Sequence, residues 1–233
     1  MSKMHQTRDN FKFDLIENSI LQGKYGIPLI KPCEIVPGEI IPFDKALKEK
    51  HPENKFIHFY INDFFFDRIW SMPYKYINLF KKFAGVISPD FSMFLNAPNA
   101  FNIFQHYKKQ TLSHFWQMHG INVISSFGAA GVASYEWCFD GLPYNSIIAI
   151  STIGVDKNPF LDAVKELFKR LSPKLLLVYG KNFPELEDLF GKKIIRFESR
   201  TEQLRKNLKR SKINSGNIKK LWLQKQTNYK IWI

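Results

Sequence analysis

Between residues 56 and 197 the sequence alternates short apolar runs with segments of helical periodicity, and this alternation constrains the fold more than any other feature. The apolar runs are near-continuous, as expected for strands that are covered on both faces. Most are separated by segments whose apolar residues recur every three or four positions. This order predicts βαβ units, which form a parallel sheet through right-handed crossovers. Strands are predicted over residues 56–61, 85–88, 121–126, 146–153, 174–179 and 193–197.

The longest predicted helix covers residues 98–119, with Pro98 in its first turn and Gly120 as its stop. A further strand near residues 39–43 brings the predicted total to about seven. We therefore predict an α/β fold, a small or incomplete TIM-like (β/α) barrel of about seven strands. An open doubly wound parallel sheet is the alternative. No glycine-rich phosphate motif follows the first strand, which disfavours the dinucleotide-binding form of that sheet.

The pattern predicts a single α/β domain over residues 25–199, after an N-terminal arm (1–24) and before a basic C-terminal tail (200–233). The tail contains ten Lys or Arg residues and one acidic residue, whereas the rest of the chain is nearly balanced in charge. No apolar run reaches the roughly 20 residues of a transmembrane segment, and no secretion signal is recognisable. We expect a cytoplasmic protein in which Cys33 and Cys138 are reduced, buried thiols.

Five groups of residues, taken in order, resemble a known family. They are Tyr25-Gly26-Ile27-Pro28; Phe59 to Asp63 with Phe66, Asp67, Trp70 and Pro73; Ser88-Pro89-Asp90-Phe91-Ser92; Trp137-Cys138-Phe139-Asp140-Gly141; and Val178-Tyr179-Gly180. The set resembles domain-of-unknown-function family 4417, which is found in bacteria and in their phages and plasmids. The likeness covers roughly residues 24–195. It implies a self-standing domain carried by a mobile element, and it implies no particular reaction or cofactor.

Acidic residues follow several predicted strands at the end where parallel α/β folds bind their ligands. Asp63 and Asp90 come after the first two strands of the regular series, and Glu136 and Asp140 lie in the segment after Ser126. In a closed barrel these four carboxylates would share one rim. There they could bind a divalent metal such as Mg²⁺, or divide into an acid with a raised pKa and an ionised nucleophile or base. An Asp at a strand end can equally cap the next helix by accepting from backbone amides.

Histidine and aromatic residues give weaker signals. His58 lies inside a strand and is predicted to be a hydrogen-bonded core residue. His106, His114 and His119 share the long helix but lack the spacing of a metal-binding pair. The run of phenylalanines at 64–66, with neighbouring aromatic residues, is interpreted either as a stacking platform for a base or sugar or as packing beneath a helix.

Basic and aromatic residues are interleaved in the tail, a composition that suits nucleic acid. Neutralising phosphates releases counterions, and aromatic rings stack on bases. Two other interpretations stay open: the tail docks on the body of the protein, or it lies on an anionic membrane surface. The candidate nucleic-acid-binding residues are Arg205, Lys206, Lys209, Arg210, Lys212, Lys219 and Lys220.

Two hypotheses for the function follow from these patterns. The first is an enzyme with an acidic strand-end site that acts on nucleic acid or a nucleotide, by hydrolysis or glycosyl transfer. The second is a non-enzymatic accessory protein of a phage or plasmid, which binds nucleic acid or a host protein. The strand-end acids favour the first hypothesis, and the absence of a recognised catalytic motif favours the second.

Overall fold

The computed structural model describes residues 12–210. A small antiparallel hairpin comes first, and a sheet of seven parallel strands follows in which each strand pairs with the next along the chain. The hairpin consists of β1 (Leu21–Gln22) and β2 (Ile27–Pro28). The strands of the sheet are β3 (Glu39–Pro42), β4 (Lys55–His58), β5 (Gly85–Ile87), β6 (Val123–Ser126), β7 (Ile147–Ser151), β8 (Leu175–Tyr179) and β9 (Ile194–Phe197).

The parallel sheet curls until it is nearly closed into a barrel. β4 and β8 are separated by three strands in the sheet, yet the ring centroids of His58 and Tyr179 lie 4.6 Å apart. Tyr60, just after β4, stacks on the same Tyr179 ring at 5.1 Å. The interior is filled by residues from all seven strands: Ile40, Phe56, Ile87, Ile124, Ile147, Ala149, Leu177, Ile195 and Phe197. The predicted α/β fold and incomplete barrel are confirmed.

Helices occupy the connections between the strands and cover the outside of the sheet. In chain order they are α1 (Phe43–Ala46), α2 (Arg68–Ser71), α3 (Ile77–Phe80), α4 (Asn99–Met118), α5 (Lys157–Leu171) and α6 (Pro184–Phe190). A further helix, α7 (Arg200–Arg210), follows β9. Short 3₁₀ turns cover Phe13–Ile16, Asp63–Phe65, Pro73–Tyr76 and Val132–Glu136. No helix within residues 12–210 is both long and apolar enough to cross a membrane.

Strand alternation separates the barrel interior from the layer under the helices. In β5 and β6, Ile87 and Ile124 point inward, whereas Val86 and Val123 point outward into a second core. Trp116 of α4 is fully buried in that outer core. Because successive side chains of a strand face opposite sides, each buried strand contributes to both layers. This explains why strands such as Gly85–Ile87 and Leu175–Tyr179 are almost entirely apolar. Cys33 and Cys138 are buried and free, as expected.

The chain divides after Phe197 into two compact units, residues 1–197 and 198–233. In the second unit, Ser199 and Glu202 form a capping box at the start of α7: the Ser199 backbone N–H donates to Glu202 at 2.8 Å, and the Glu202 N–H donates to the Ser199 hydroxyl at 3.3 Å. Arg205 and Lys206 are exposed on α7, and Lys206 pairs with Glu198. Lys209 and Arg210 belong to the same helix, and Lys212, Lys219 and Lys220 lie outside the described residues.

Candidate functional site

The carboxyl ends of β4 and β6 turn polar side chains toward the mouth of the barrel. Phe56 and Ile124 point inward, so the alternation also turns His58, Tyr60 and Ser126 inward. Ser126 is fully buried. Its hydroxyl and the buried hydroxyl of Tyr60 have no hydrogen-bond partner in the described part of the chain. Buried polar atoms without partners are costly, so each calls for an explanation such as a catalytic role or a bound water or ion.

His58 is buried beneath this end of the barrel, as predicted for a hydrogen-bonded core residue. The backbone N–H of Tyr60 donates to its Nδ1 at 3.2 Å. Burial lowers the pKa of His58 to about 3, so the ring is neutral at physiological pH. Because Nδ1 accepts a hydrogen bond, the neutral ring carries its proton on Nε2.

The loops that follow β4 and β5 are joined by the carboxylate of Asp63. One oxygen accepts from the Ser92 backbone N–H at 3.0 Å, and the other accepts from the Ser92 hydroxyl at 2.8 Å. The Asn62 side chain accepts from the Phe64 backbone N–H at 3.0 Å, which shapes the turn that carries Asp63. The two loops are thereby held together at the mouth of the barrel.

Asp90 lies two residues before Ser92 and is partly buried. Burial raises the pKa of Asp90 to about 6; the charge of Lys109 acts to lower that pKa, and the charge of Asp63 acts to raise it. Asp63 bonds to Ser92, two residues beyond Asp90, so the two acids are close neighbours. Burial also raises the pKa of Tyr60 well above its usual value, with the charge of Asp90 contributing. A carboxyl group that titrates near neutral pH can both donate and accept protons.

The structure places the other two sequence-predicted acids against the β1–β2 hairpin. Glu136 pairs with Lys24 at 2.8 Å, and both side chains are exposed. The backbone carbonyl of Asp140 accepts from His106 Nε2 at 2.9 Å, while its carboxylate packs against Gly23, which has a φ of +64°. The four carboxylates are thus divided between two places, with Asp63 and Asp90 at the barrel mouth. Within residues 12–210, no three His, Cys, Asp or Glu side chains are arranged to hold a metal ion.

Two surface cavities are lined by other residues. One, of about 550 Å³, lies beside Asn182, Lys192 and Arg196, and one of about 290 Å³ lies beside Asp14 and Tyr74. Neither has Asp63 or Asp90 in its wall. The barrel mouth is therefore distinguished by its buried polar groups and not by the volume of a cavity.

Sequence reasoning did not select Tyr60 or Lys109 as site residues. Lys109 is only 3% exposed. The signal that could have found it is its position on α4, three and seven residues before Leu112 and Trp116, which are both buried. A lysine on the buried face of a helix is uncommon, because burying its charge is costly.

The model of a family described as a domain of unknown function, DUF4417, matches residues 20–198. The chain belongs to the DUF4417 family. Its relatives include the Gene 1 protein of Mycobacterium phage L5, which is 30% identical over 190 residues, covering 77% of this chain and 83% of that protein. The Gene 1 protein of Mycobacterium phage D29 is 27% identical over 194 residues, covering 76% of this chain and 72% of that protein. No solved structure matches the chain.

The motifs that carried the resemblance to DUF4417 fall into two places in the structure. Three of them lie at the carboxyl ends of β4, β5 and β8, and they contain Asp63, Asp90 and Tyr179. The other two pack on each other: the Ile30 backbone N–H donates to the Gly141 carbonyl at 3.1 Å, just after the Tyr25–Pro28 motif. The first place is the mouth of the barrel, and the second joins the hairpin to the body of the domain.

Proposed function

We propose that this DUF4417 protein is an enzyme that uses Asp90 as its general acid and base, and that its substrate is a nucleotide or a nucleic acid. One observation carries the proposal: the carboxyl group of Asp90, with a pKa raised to about 6, lies at the strand ends beside Asp63 and Tyr60. Barrels of this kind bind their substrates at that end. Ser126 adds a buried hydroxyl without a partner in the described residues.

Hydrolysis suits these groups. Asp90 in its acid form gives its proton to the leaving atom as the sugar–base or phosphate bond breaks. The oxygen of the attacking water forms a bond to the other fragment. One proton of that water passes to the Asp90 carboxylate, which returns to its acid form. The reaction consumes one water and leaves the carboxyl group unchanged. A group whose pKa lies near the working pH contributes roughly 10²- to 10⁴-fold to such a step.

The preference for a nucleotide or nucleic acid rests on rings and charge. Phe64 is 84% exposed and Phe94 is 56% exposed, and the bonds from Asp63 to Ser92 hold their two loops together. Exposed rings next to a reactive carboxyl group can stack on nucleobases. The chain also carries a net charge of +13, which favours anionic ligands such as phosphates.

The test is turnover by the full-length protein. A panel of nucleosides, nucleotides and single- and double-stranded oligonucleotides is incubated with and without Mg²⁺, and products are identified by mass spectrometry. Asp90→Asn is expected to lose at least about 100-fold in rate. The matched control is Asp162→Asn, because Asp162 is an exposed acid of α5 that pairs with Lys165 at 3.0 Å. No turnover of any panel member, or equal turnover by Asp90→Asn, contradicts the proposal.

The second candidate is a non-enzymatic binding protein, and exposed apolar side chains around the barrel mouth favour it. The loops after β5, β6 and β7 each display one: Leu95, Val132 and Ile153 are at least half exposed. Apolar groups gathered at one end of a protein often mark an interaction surface. Binding of an oligonucleotide or protein that Asp90→Asn leaves unchanged, without turnover, would support this candidate.

A further inference from the structure

Two hydrogen bonds fix how α4 lies against the segment that contains Asp90. Near the start of the helix, the Gln105 side chain donates to the Ser92 carbonyl at 3.1 Å. Two turns later, the Ser113 hydroxyl donates to the Ser88 hydroxyl at 2.8 Å. The helix therefore runs antiparallel to residues 88–92, and positions 105 and 113 both face that segment.

Lys109 lies midway between these two contacts. Residues four apart in a helix share one face, so Lys109 faces the same segment as Gln105 and Ser113. The midpoint of residues 88–92 is Asp90. The register of α4 against this segment therefore places Lys109 opposite Asp90. This placement follows from the helix geometry and the two hydrogen bonds alone.

The surroundings of Lys109 leave Asp90 as its main counter-charge. Lys109 is 3% exposed. Among the described residues, no carboxylate oxygen lies within 4.0 Å of its ammonium nitrogen, which is the limit for an ion pair. The neighbouring Lys108, in contrast, pairs with Asp67 at 3.2 Å. Burial lowers the pKa of Lys109 to about 8, and attraction to Asp90 opposes that effect. At neutral pH the ammonium group is therefore charged.

The other titratable groups around the pair act differently. Asp63 and Tyr60, in the segment after β4, act electrostatically with Asp90, and neither carries positive charge. His106 lies one turn from Lys109, and burial lowers its pKa far below the usual value, so the ring is neutral. Burial raises the pKa of the Cys138 thiol to about 12, so it is also uncharged. Among the groups named here, Lys109 supplies the cation that acts on Asp90.

We infer that Lys109 is a positioning residue, whose ammonium group acts from the buried face of α4 to hold the carboxyl group of Asp90 in its ionised form. The inference rests on the proposed function, because it explains how a buried acid can regain its charge between turnovers. Burial alone favours the neutral acid. An opposed cation lets the same group give up a proton near neutral pH and take it back.

The experiment is a titration of the Asp90 carboxyl carbon by NMR in full-length protein labelled with ¹³C-aspartate, the resonance being assigned by its loss in Asp90→Asn. In Lys109→Met, the Asp90 pKa is expected to rise by about one unit or more. Lys109→Arg keeps the charge and should leave it near the wild-type value. Lys165→Met, at an exposed lysine of α5, is the matched control and should leave it unchanged. An unchanged Asp90 pKa in Lys109→Met would overturn the inference.

A reciprocal measurement covers the case in which Lys109→Met does not fold. In protein labelled with ¹³C-lysine, Asp90→Asn should lower the pKa of Lys109 below its wild-type value of about 8; an unchanged value overturns the inference. Neither titration needs a substrate. Failure of the proposed function appears instead as absent turnover, or as turnover that Asp90→Asn retains, so the two failures are distinguishable.

Discussion

At the scale of single residues, the barrel mouth combines groups whose burial is costly with groups that offset part of the cost. Asp90 and Lys109 are both charged between about pH 6 and pH 8, although burial disfavours the charge on each. In other proteins, replacing a buried pair of opposite charges by hydrophobic side chains of similar volume often leaves the folding stability unchanged or raises it. The placing of Lys109 opposite Asp90 is therefore better explained by chemistry than by folding stability.

The pH dependence of stability should carry the signature of Asp90. Its folded-state pKa of about 6 exceeds its ordinary value of 3.8, so its contribution to stability is complete below pH 3.8 and is lost as the pH rises through 6. The free energy of unfolding of the wild type minus that of Asp90→Asn should fall by at most about 3 kcal/mol over this window. Urea denaturation at a series of pH values measures it. A flat difference, or one that rises with pH, contradicts the prediction.

Replacing Asp63 should change the pKa of Asp90 in the opposite direction to replacing Lys109. Its charge acts to raise the pKa of Asp90, so Asp63→Asn should lower that pKa, as measured by the same carboxyl titration. The variant also weakens the two bonds to Ser92, which should cost about 1–3 kcal/mol of unfolding free energy. Glu136→Gln is the control, because Glu136 is exposed and pairs with Lys24. A raised pKa in Asp63→Asn would be the contrary result.

Among the helices and strands, the packing of α4 against the segment after β5 decides whether Lys109 lies opposite Asp90. The Ser113–Ser88 hydrogen bond fixes this register. A double-mutant cycle with Ser113→Ala and Ser88→Ala should give a coupling of about 0.5–1.5 kcal/mol in unfolding free energy. The matched pair Ser113→Ala and Ser126→Ala should show none, because Ser126 points into the barrel. Zero coupling between Ser113 and Ser88 would remove the geometric basis for opposing Lys109 to Asp90.

The elements also show what the sequence could and could not predict. β4 to β9 were predictable because strands that are largely covered on both faces leave near-continuous apolar runs. The β1–β2 hairpin was missed because the prolines around it point to an extended segment without indicating a partner. The convergence of Asp63 and Asp90 follows from their positions just beyond neighbouring parallel strands. The sequence did not predict that Glu136 and Asp140 lie at the hairpin, because their connection is long enough to reach it. Nor could it predict that Lys109 is turned toward Asp90, because that orientation depends on tertiary contacts of α4.

At the scale of the whole molecule, the chain joins a nearly closed barrel to a basic second unit, whose described part is α7. If the second unit supplies electrostatic affinity for nucleic acid, that affinity must weaken with salt, because each neutralised phosphate releases counterions. The strand-end carboxyl group and the basic unit would then have separate roles, one in chemistry and the other in holding the substrate.

A salt series on full-length protein measures the role of the basic unit. Neutralising its candidate residues to Gln should weaken binding of a single-stranded oligonucleotide and should flatten the dependence of log Kd on log salt. The residues are Arg205, Lys206, Lys209, Arg210, Lys212, Lys219 and Lys220. The control is Gln substitution of exposed lysines in the barrel unit, for example Lys165 and Lys169 of α5. Equal slopes for the two variants would contradict the prediction.

Titration of the Asp90 carboxyl carbon in the unmodified full-length protein decides whether Asp90 is an acid–base group at the barrel mouth. The expected midpoint lies near pH 6. A midpoint near the ordinary value of 3.8 would show a solvated surface carboxylate, and Asp90 would then have no special acid–base role.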